Sequence, residues 1–73
     1  MADISFEIIK TLGIISEEGE KWRKELNLIR WNDNVARYDL RSWNATHEKM
    51  SKGITLSQYE LRQLKELLNS IDL

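Results

Sequence analysis

Seventy-three residues with no cysteine make at most one domain, whose thin core neither a disulfide nor a cysteine-based zinc site can reinforce. A chain this short buries only about 60% of its unfolded surface, so self-association is the common remaining source of burial and a homodimer is expected. A net charge of −1 supplies no overall field for a polyanion, and no run approaches the ~20 apolar residues of a membrane span or reads as a signal peptide, so a cytoplasmic protein is expected.

The first segment, residues 4–16, is rich in β-branched side chains and reads as a strand, with Gly13 marking a bulge or bend. Ser16-Glu17-Glu18-Gly19-Glu20 is a polar turn. Residues 1–20 hold one base (Lys10) and five acids (Asp3, Glu7, Glu17, Glu18, Glu20), a local charge of −4.

Residues 21–52 reverse that sign. Eight bases (Lys21, Arg23, Lys24, Arg30, Arg37, Arg41, Lys49, Lys52) against four acids (Glu25, Asp33, Asp39, Glu48) give +4, and all three tryptophans fall in the same stretch. Salt screens charge beyond ~8–10 Å, so this local excess is what a ligand meets. A second strand runs from Trp22 to Trp31 and a third from Val35 to Trp43. Asn32-Asp33-Asn34 between them suits a tight hairpin turn.

With Asp33 and Asn34 as the two central turn residues, Trp31 faces Ala36, Ile29 faces Tyr38 and Asn27 faces Leu40 on an apolar side. The other side then gathers Arg30 opposite Arg37, Leu26 opposite Arg41 and Lys24 opposite Trp43, with Trp22 beyond. A shift by one residue would place Arg37 opposite Ile29 and mix the faces, which a half-buried sheet resists. The like-charge pair Arg30–Arg37 is unfavourable alone, and a bound anion would relieve it.

After the polar connection Asn44–Ser51, residues 52–56 form a short fourth strand or extended lead-in. Ser57-Gln58-Tyr59-Glu60 matches a capping box, with Leu56 and Leu61 placed as a hydrophobic staple. The helix is expected to reach about Ser70. Leu61, Leu64, Leu68 and Ile71, with Leu67 beside them, form an apolar seam that packs on the sheet and meets a partner helix across a two-fold axis. The fold class is therefore α+β: a single domain over residues 1–73, four antiparallel strands and then one C-terminal helix, dimerising through that helix.

Chemistry for catalysis is not apparent. The single histidine, His47, stands beside Glu48, supplies too few ligands for a metal site and is expected to be an ordinary exposed residue. No phosphate-loop lysine motif, GxGxxG or Ser-His-Asp arrangement occurs, and Glu17, Glu18 and Glu20 read as a solvated turn. Neither an enzyme nor a cofactor or small-molecule substrate is expected.

Tyr38-Asp39-Leu40-Arg41-Ser42-Trp43, Lys52-Gly53-Ile54-Thr55-Leu56, Tyr59-Glu60 and Leu64-Lys65 resemble the transcriptional positive cofactor four family. Lys21-Trp22-Arg23-Lys24-Glu25-Leu26-Asn27 with Trp31-Asn32 resembles its small bacterial YdbC-like branch. The likeness implies a curved four-stranded sheet and a helix, paired into a dimer whose channels hold single-stranded DNA with little sequence preference. It places Arg41, Trp43 and the Lys52 box on the DNA surface. The third strand is one residue shorter than in eukaryotic members, and a eukaryotic-type Ser- and Lys-rich regulatory tail is absent.

Single strands are held by a basic groove that follows the phosphates and by rings on which bases stack. The expected contacts are Lys24, Arg30, Arg37 and Arg41 for phosphates, Trp22 and Trp43 for bases, and Lys21, Lys49 and Lys52 at the rim. Duplex DNA fits less well, because the helix holds only Arg62 and Lys65 among acids. The alternatives are a protein-interaction module using the exposed aromatics, or single-stranded RNA as ligand, since stacking does not exclude the 2′-hydroxyl.

Overall fold

A computed structural model describes residues 5–19 and 21–73. Four strands, β1 (Phe6–Glu18), β2 (Trp22–Trp31), β3 (Arg37–Asn44) and β4 (Ile54–Leu56), lie in chain order in one antiparallel sheet, followed by helix α1 (Gln58–Ser70). The α+β class and element order expected from the sequence are those observed. Ile4, where the first strand was expected to begin, lies outside the described residues.

The shape of the sheet comes from a mismatch in strand length. β1 spans 13 residues against 10 in β2, and the register slips between Ile8 and Lys10, Thr11 and Gly13, and Ile14 and Ser16. Ile9, Leu12 and Ile15 are thus extra residues, one every third position. Each such bulge bends its strand and steepens the right-handed twist. The expected irregularity at Gly13 is one of three, and the other two have no glycine to announce them.

The curl is visible in the aromatic residues. Trp31 and Trp43 would stand ~26 Å apart along a flat sheet at ~3.3 Å per residue. Yet Phe6 packs its ring 5.6 Å from Trp31 and 5.2 Å from Trp43. Only a strongly concave surface brings both to one phenyl ring. Trp43 and Ile29 are fully enclosed there and form the apolar core of the single chain.

The central hairpin departs from the expected register. Observed partners include Trp22 with Asn44, Leu26 with Leu40, Leu28 with Tyr38, and Ile29 with Arg37, which is the arrangement shifted by one residue. A two-residue turn needs left-handed backbone at Asp33 or Asn34, whereas the residue with positive φ is Asn32 (φ 51). Its amide donates to the Ser5 carbonyl at 2.6 Å, its side-chain oxygen accepts from the Ser5 amide at 3.1 Å, and the Asn34 amide closes a turn onto the Trp31 carbonyl at 3.0 Å. The connection therefore extends through Ala36. Apolar pairing also favours this register, because Leu26–Leu40 and Leu28–Tyr38 become cross-strand pairs on one face.

Helix α1 begins as its sequence specifies. The Glu60 amide donates to the Ser57 hydroxyl at 3.1 Å, and the Ser57 amide donates to the Glu60 carboxylate at 2.8 Å. These bonds from the Ser57 backbone and side chain hold the Glu60 carboxyl below its ordinary range. No residue of α1 is buried. Leu61, Leu64 and Leu68 look across a groove of about 540 Å³ toward Leu26, Tyr38 and Leu40, so the even-numbered side of β2 and β3 is the helix side. Leu67 and Ile71, expected on the same seam, are exposed and do not line this groove.

Gly53 shows why the Lys-Gly-Ile-Thr-Leu segment has a glycine. A Cβ there would collide with the Cβ of Arg41 and lie 2.5 Å from the Leu40 carbonyl oxygen. Gly53→Ala is expected to lower stability by about 1–3 kcal/mol, as overpacking against backbone does. Urea unfolding measures it, and an unchanged midpoint would contradict the close approach.

Candidate nucleic-acid interface

Alternation along β2 and β3 assigns each charged side chain to a face. On the side away from the helix groove stand Arg23, Glu25, Asn27, Ile29 and Trp31 of β2, opposite Trp43, Arg41, Asp39 and Arg37 of β3. The helix side carries Trp22, Lys24 and Arg30. The single open surface expected for Lys24, Arg30, Arg37, Arg41, Trp22 and Trp43 is thus divided between two faces, because the register moved by one and every β3 side chain changed sides relative to β2.

Several expected ligand-facing groups are engaged within the chain. Arg30 pairs with Glu7 at 3.2 Å on the surface, with both side chains well exposed; such a pair contributes ~0–1 kcal/mol. Arg41 is a fork on Asp39: Nε donates to one carboxylate oxygen at 2.6 Å and Nη2 to the other at 2.7 Å. The Thr55 hydroxyl donates to the same carboxylate at 3.1 Å, and Arg41 Nη1 points to the Met50 sulfur at 3.4 Å. The guanidinium lies 4.8 Å from the Trp31 ring centroid. With 14% of its side chain exposed, Arg41 is a fixed plane stacked on an indole, not a mobile phosphate hook. Trp43 is 0% exposed, so it offers no open ring to a base in the single chain.

The remaining cations are accessible. Arg37 is exposed at the start of β3 on the concave side, and Lys21, Lys49 and Lys52 are exposed on the connections. Among the described residues none of the four makes a hydrogen bond or ion pair through its side chain. Lys21 and Arg23 line an open depression of about 430 Å³ with Glu17, Gly19 and Ala45.

Beside that depression lies a cluster centred on Glu25, which is 1% exposed. His47 Nε2 sits 2.9 and 3.1 Å from its two oxygens, the Asn27 amide donates at 3.1 Å, and Arg23 Nη2 is 3.6 Å away. Burial pushes the Glu25 carboxyl up, but the bonds from His47 and Asn27 and the charges of His47 and Arg23 outweigh it and hold the group below 4.5. His47 adopts φ 60 and packs its ring 5.4 Å from Trp43. A solvated surface histidine was expected here. The hydrophobic pattern could not reveal the cluster, since His47 lies in a polar connection twenty-two positions from Glu25.

The concave face thus combines Arg23 and the exposed Arg37 with a guanidinium–indole stack and a ring cluster. Over residues 19–67 the sequence matches the transcriptional coactivator p15 (PC4) family. The chain belongs to that family. It is also 39% identical over 71 residues, covering 97% of this chain and 84% of the relative, to an uncharacterized protein of Treponema pallidum (strain Nichols). The PC4 match spans β2 through most of α1, and so includes the Asp39–Arg41 fork, Gly53 and the capping box. PC4 membership makes this a DNA-binding, coactivator-like chain. No group of three or more potential metal ligands occurs among the described residues, and none of their helices is long and apolar enough to cross a membrane.

The lowered Glu25 carboxyl fixes the sign of an acid effect. Its stabilisation is complete above the ordinary 4.5 and is lost as pH falls through the lower folded value. Glu25→Gln should cost about 1–3 kcal/mol at pH 7. That gap from the unmutated chain should narrow below pH ~4. Urea unfolding at both pH values measures it, and a gap independent of pH would remove the ionised cluster from the account of stability.

Proposed function

We propose that this PC4-family chain binds single-stranded DNA with little sequence preference, as a cytoplasmic homodimer in transcription regulation, replication or repair, and that its activity is binding and not catalysis. The observation that carries this reading is the division of labour between the two faces of the sheet. The concave side presents Arg23 and Arg37 with the Arg41–Trp31 stack, while the other side presents an unfilled apolar groove beside a helix with no buried residue. Lys21, Lys49 and Lys52 border the concave side for phosphates. Bases meet the planar Arg41–Trp31 stack, because guanidinium planes and aromatic rings both accept stacked bases regardless of sequence. Arg41 offers its guanidinium plane there and the enclosed Trp43 supports it; Trp22, Lys24 and Arg30 lie outside it.

Affinity for an oligo-dT should fall with salt by ~0.7 in log–log slope for each phosphate neutralised. Arg37→Ala, which removes an exposed side chain and no internal bond, should lower that slope by about one such increment. Fluorescence anisotropy over a salt series tests this, with matched RNA and duplex as competitors. Salt-independent binding, or stronger binding of duplex, would overturn the reading.

The homodimer rests on the groove. Leu61, Leu64 and Leu68 leave apolar surface open beside Tyr38 and Leu40, and Leu67 and Ile71 extend the apolar character of the helix past it. A second copy of the same helix and groove is self-complementary about a two-fold axis. Light scattering should give a mass near twice 8.7 kDa. Leu68→Asp, at a side chain already 47% exposed in one chain, should yield a folded single chain at micromolar concentration. A dimer unaffected by Leu68→Asp would place the interface elsewhere.

A further inference from the structure

The Arg23–Glu25–His47 cluster is not explained by folding alone. A buried carboxylate with ionic partners is often no more stabilising than apolar residues of similar volume. His47 also holds a left-handed backbone (φ 60), which is unfavourable for a residue with a Cβ. The amide of His47 donates to the Asn44 carbonyl at 3.1 Å, and the Lys49 amide donates to the Asn44 side chain at 2.9 Å. The imidazole–carboxylate contact therefore ties the whole connection from Asn44 to Lys49 down onto β2.

We infer that Glu25 is a positioning residue for the single-strand face, apportioned between two cations, so that affinity for single-stranded DNA follows the charge on His47. This rests on the reading proposed above. With His47 charged, the imidazolium satisfies the carboxylate at 2.9 and 3.1 Å, and Arg23, at 3.6 Å and without a hydrogen bond to it, keeps its donors for the depression it shares with Lys21. With His47 neutral, the buried carboxylate has Arg23 as its one remaining cation. Arg23 is then drawn inward, and the face loses a phosphate contact.

No other group substitutes for these two. Arg41, the cross-strand partner of Glu25 on β3, is committed to Asp39. On β1, Ile14 opposite Glu25 is apolar, and Glu17 opposite Arg23 is an acid and supplies no cation. Glu48 and Lys49 flank His47 but are exposed. His47 is the one histidine in the chain.

The test is oligo-dT anisotropy on the full chain at pH 5.5 and pH 8.0 at fixed 0.1 M salt, for the unmutated protein, His47→Gln, His47→Ala and Glu25→Gln. The unmutated chain should bind about fivefold tighter at pH 5.5, the equivalent of one phosphate contact at a slope of ~0.7. His47→Gln keeps a neutral donor to Glu25. It should match the unmutated chain at pH 8.0 and lose the pH effect. His47→Ala should bind more weakly than His47→Gln at both pH values, and Glu25→Gln should abolish the pH effect. In NMR spectra of the free protein, the Trp43 indole N–H should shift in step with the His47 ring, and Glu25→Gln should uncouple them. A flat pH profile with binding intact overturns this inference alone. No binding at either pH overturns the single-strand reading and this inference with it.

Discussion

The fold depends on thirteen residues of β1 being hydrogen-bonded to ten of β2. Three surplus residues cannot be absorbed by a flat ladder, so the sheet curls, and the curl creates an inside and an outside from one layer of strands. Phe6, Trp31 and Trp43 meet only because of it. A chain of this size cannot build a two-layer core of ordinary depth. Instead it uses curvature to make one sheet partly enclose itself, and leaves its helix with nothing buried.

Polar order on the concave side is as marked as the apolar order. Glu25, Asn27 and Asp39 are all essentially inaccessible, an unusual set for so small a domain. Two of the three are carboxylates, and each is matched: Asp39 by the Arg41 fork and the Thr55 hydroxyl, Glu25 by His47, Asn27 and Arg23. Such pairing fixes the side chains of β2, β3, β4 and the Asn44–Lys49 connection relative to one another. The rigidity matters for a binding surface, because a ligand then does not bear the entropy of ordering long side chains.

Much of the architecture was legible in the sequence, and the failures share one origin. Strand β2 and the capping box were read to the residue, since tryptophans, Ser57 and Glu60 mark them locally, and the helix ends at Ser70, about where it was expected. The runs Tyr38–Trp43 and Lys52–Leu56, with Tyr59-Glu60, led to the family correctly. The hairpin register was not legible from turn residues, because Asn32, Asp33 and Asn34 all tolerate a left-handed backbone and only Asn32 uses it. The better signal was the pairing of Leu26 and Leu28 with Leu40 and Tyr38. Reading Arg30, Arg37 and Arg41 as one patch followed from the wrong register. The bulges at Ile9, Leu12 and Ile15 lack any glycine, and the internal role of His47 depends on Glu25, twenty-two positions away.

The outer margin of β1 also bears on solubility. A long marginal strand ordinarily displays a regular row of amides and carbonyls on which a foreign chain can extend the sheet, the first step toward fibrils. Interruptions every third residue break the spacing of that row, so no straight strand can follow it for more than two or three residues. The opposite margin, β4, is three residues long. Both lateral routes to runaway stacking are thereby blunted, although Ile9, Leu12 and Ile15 are greasy and accessible.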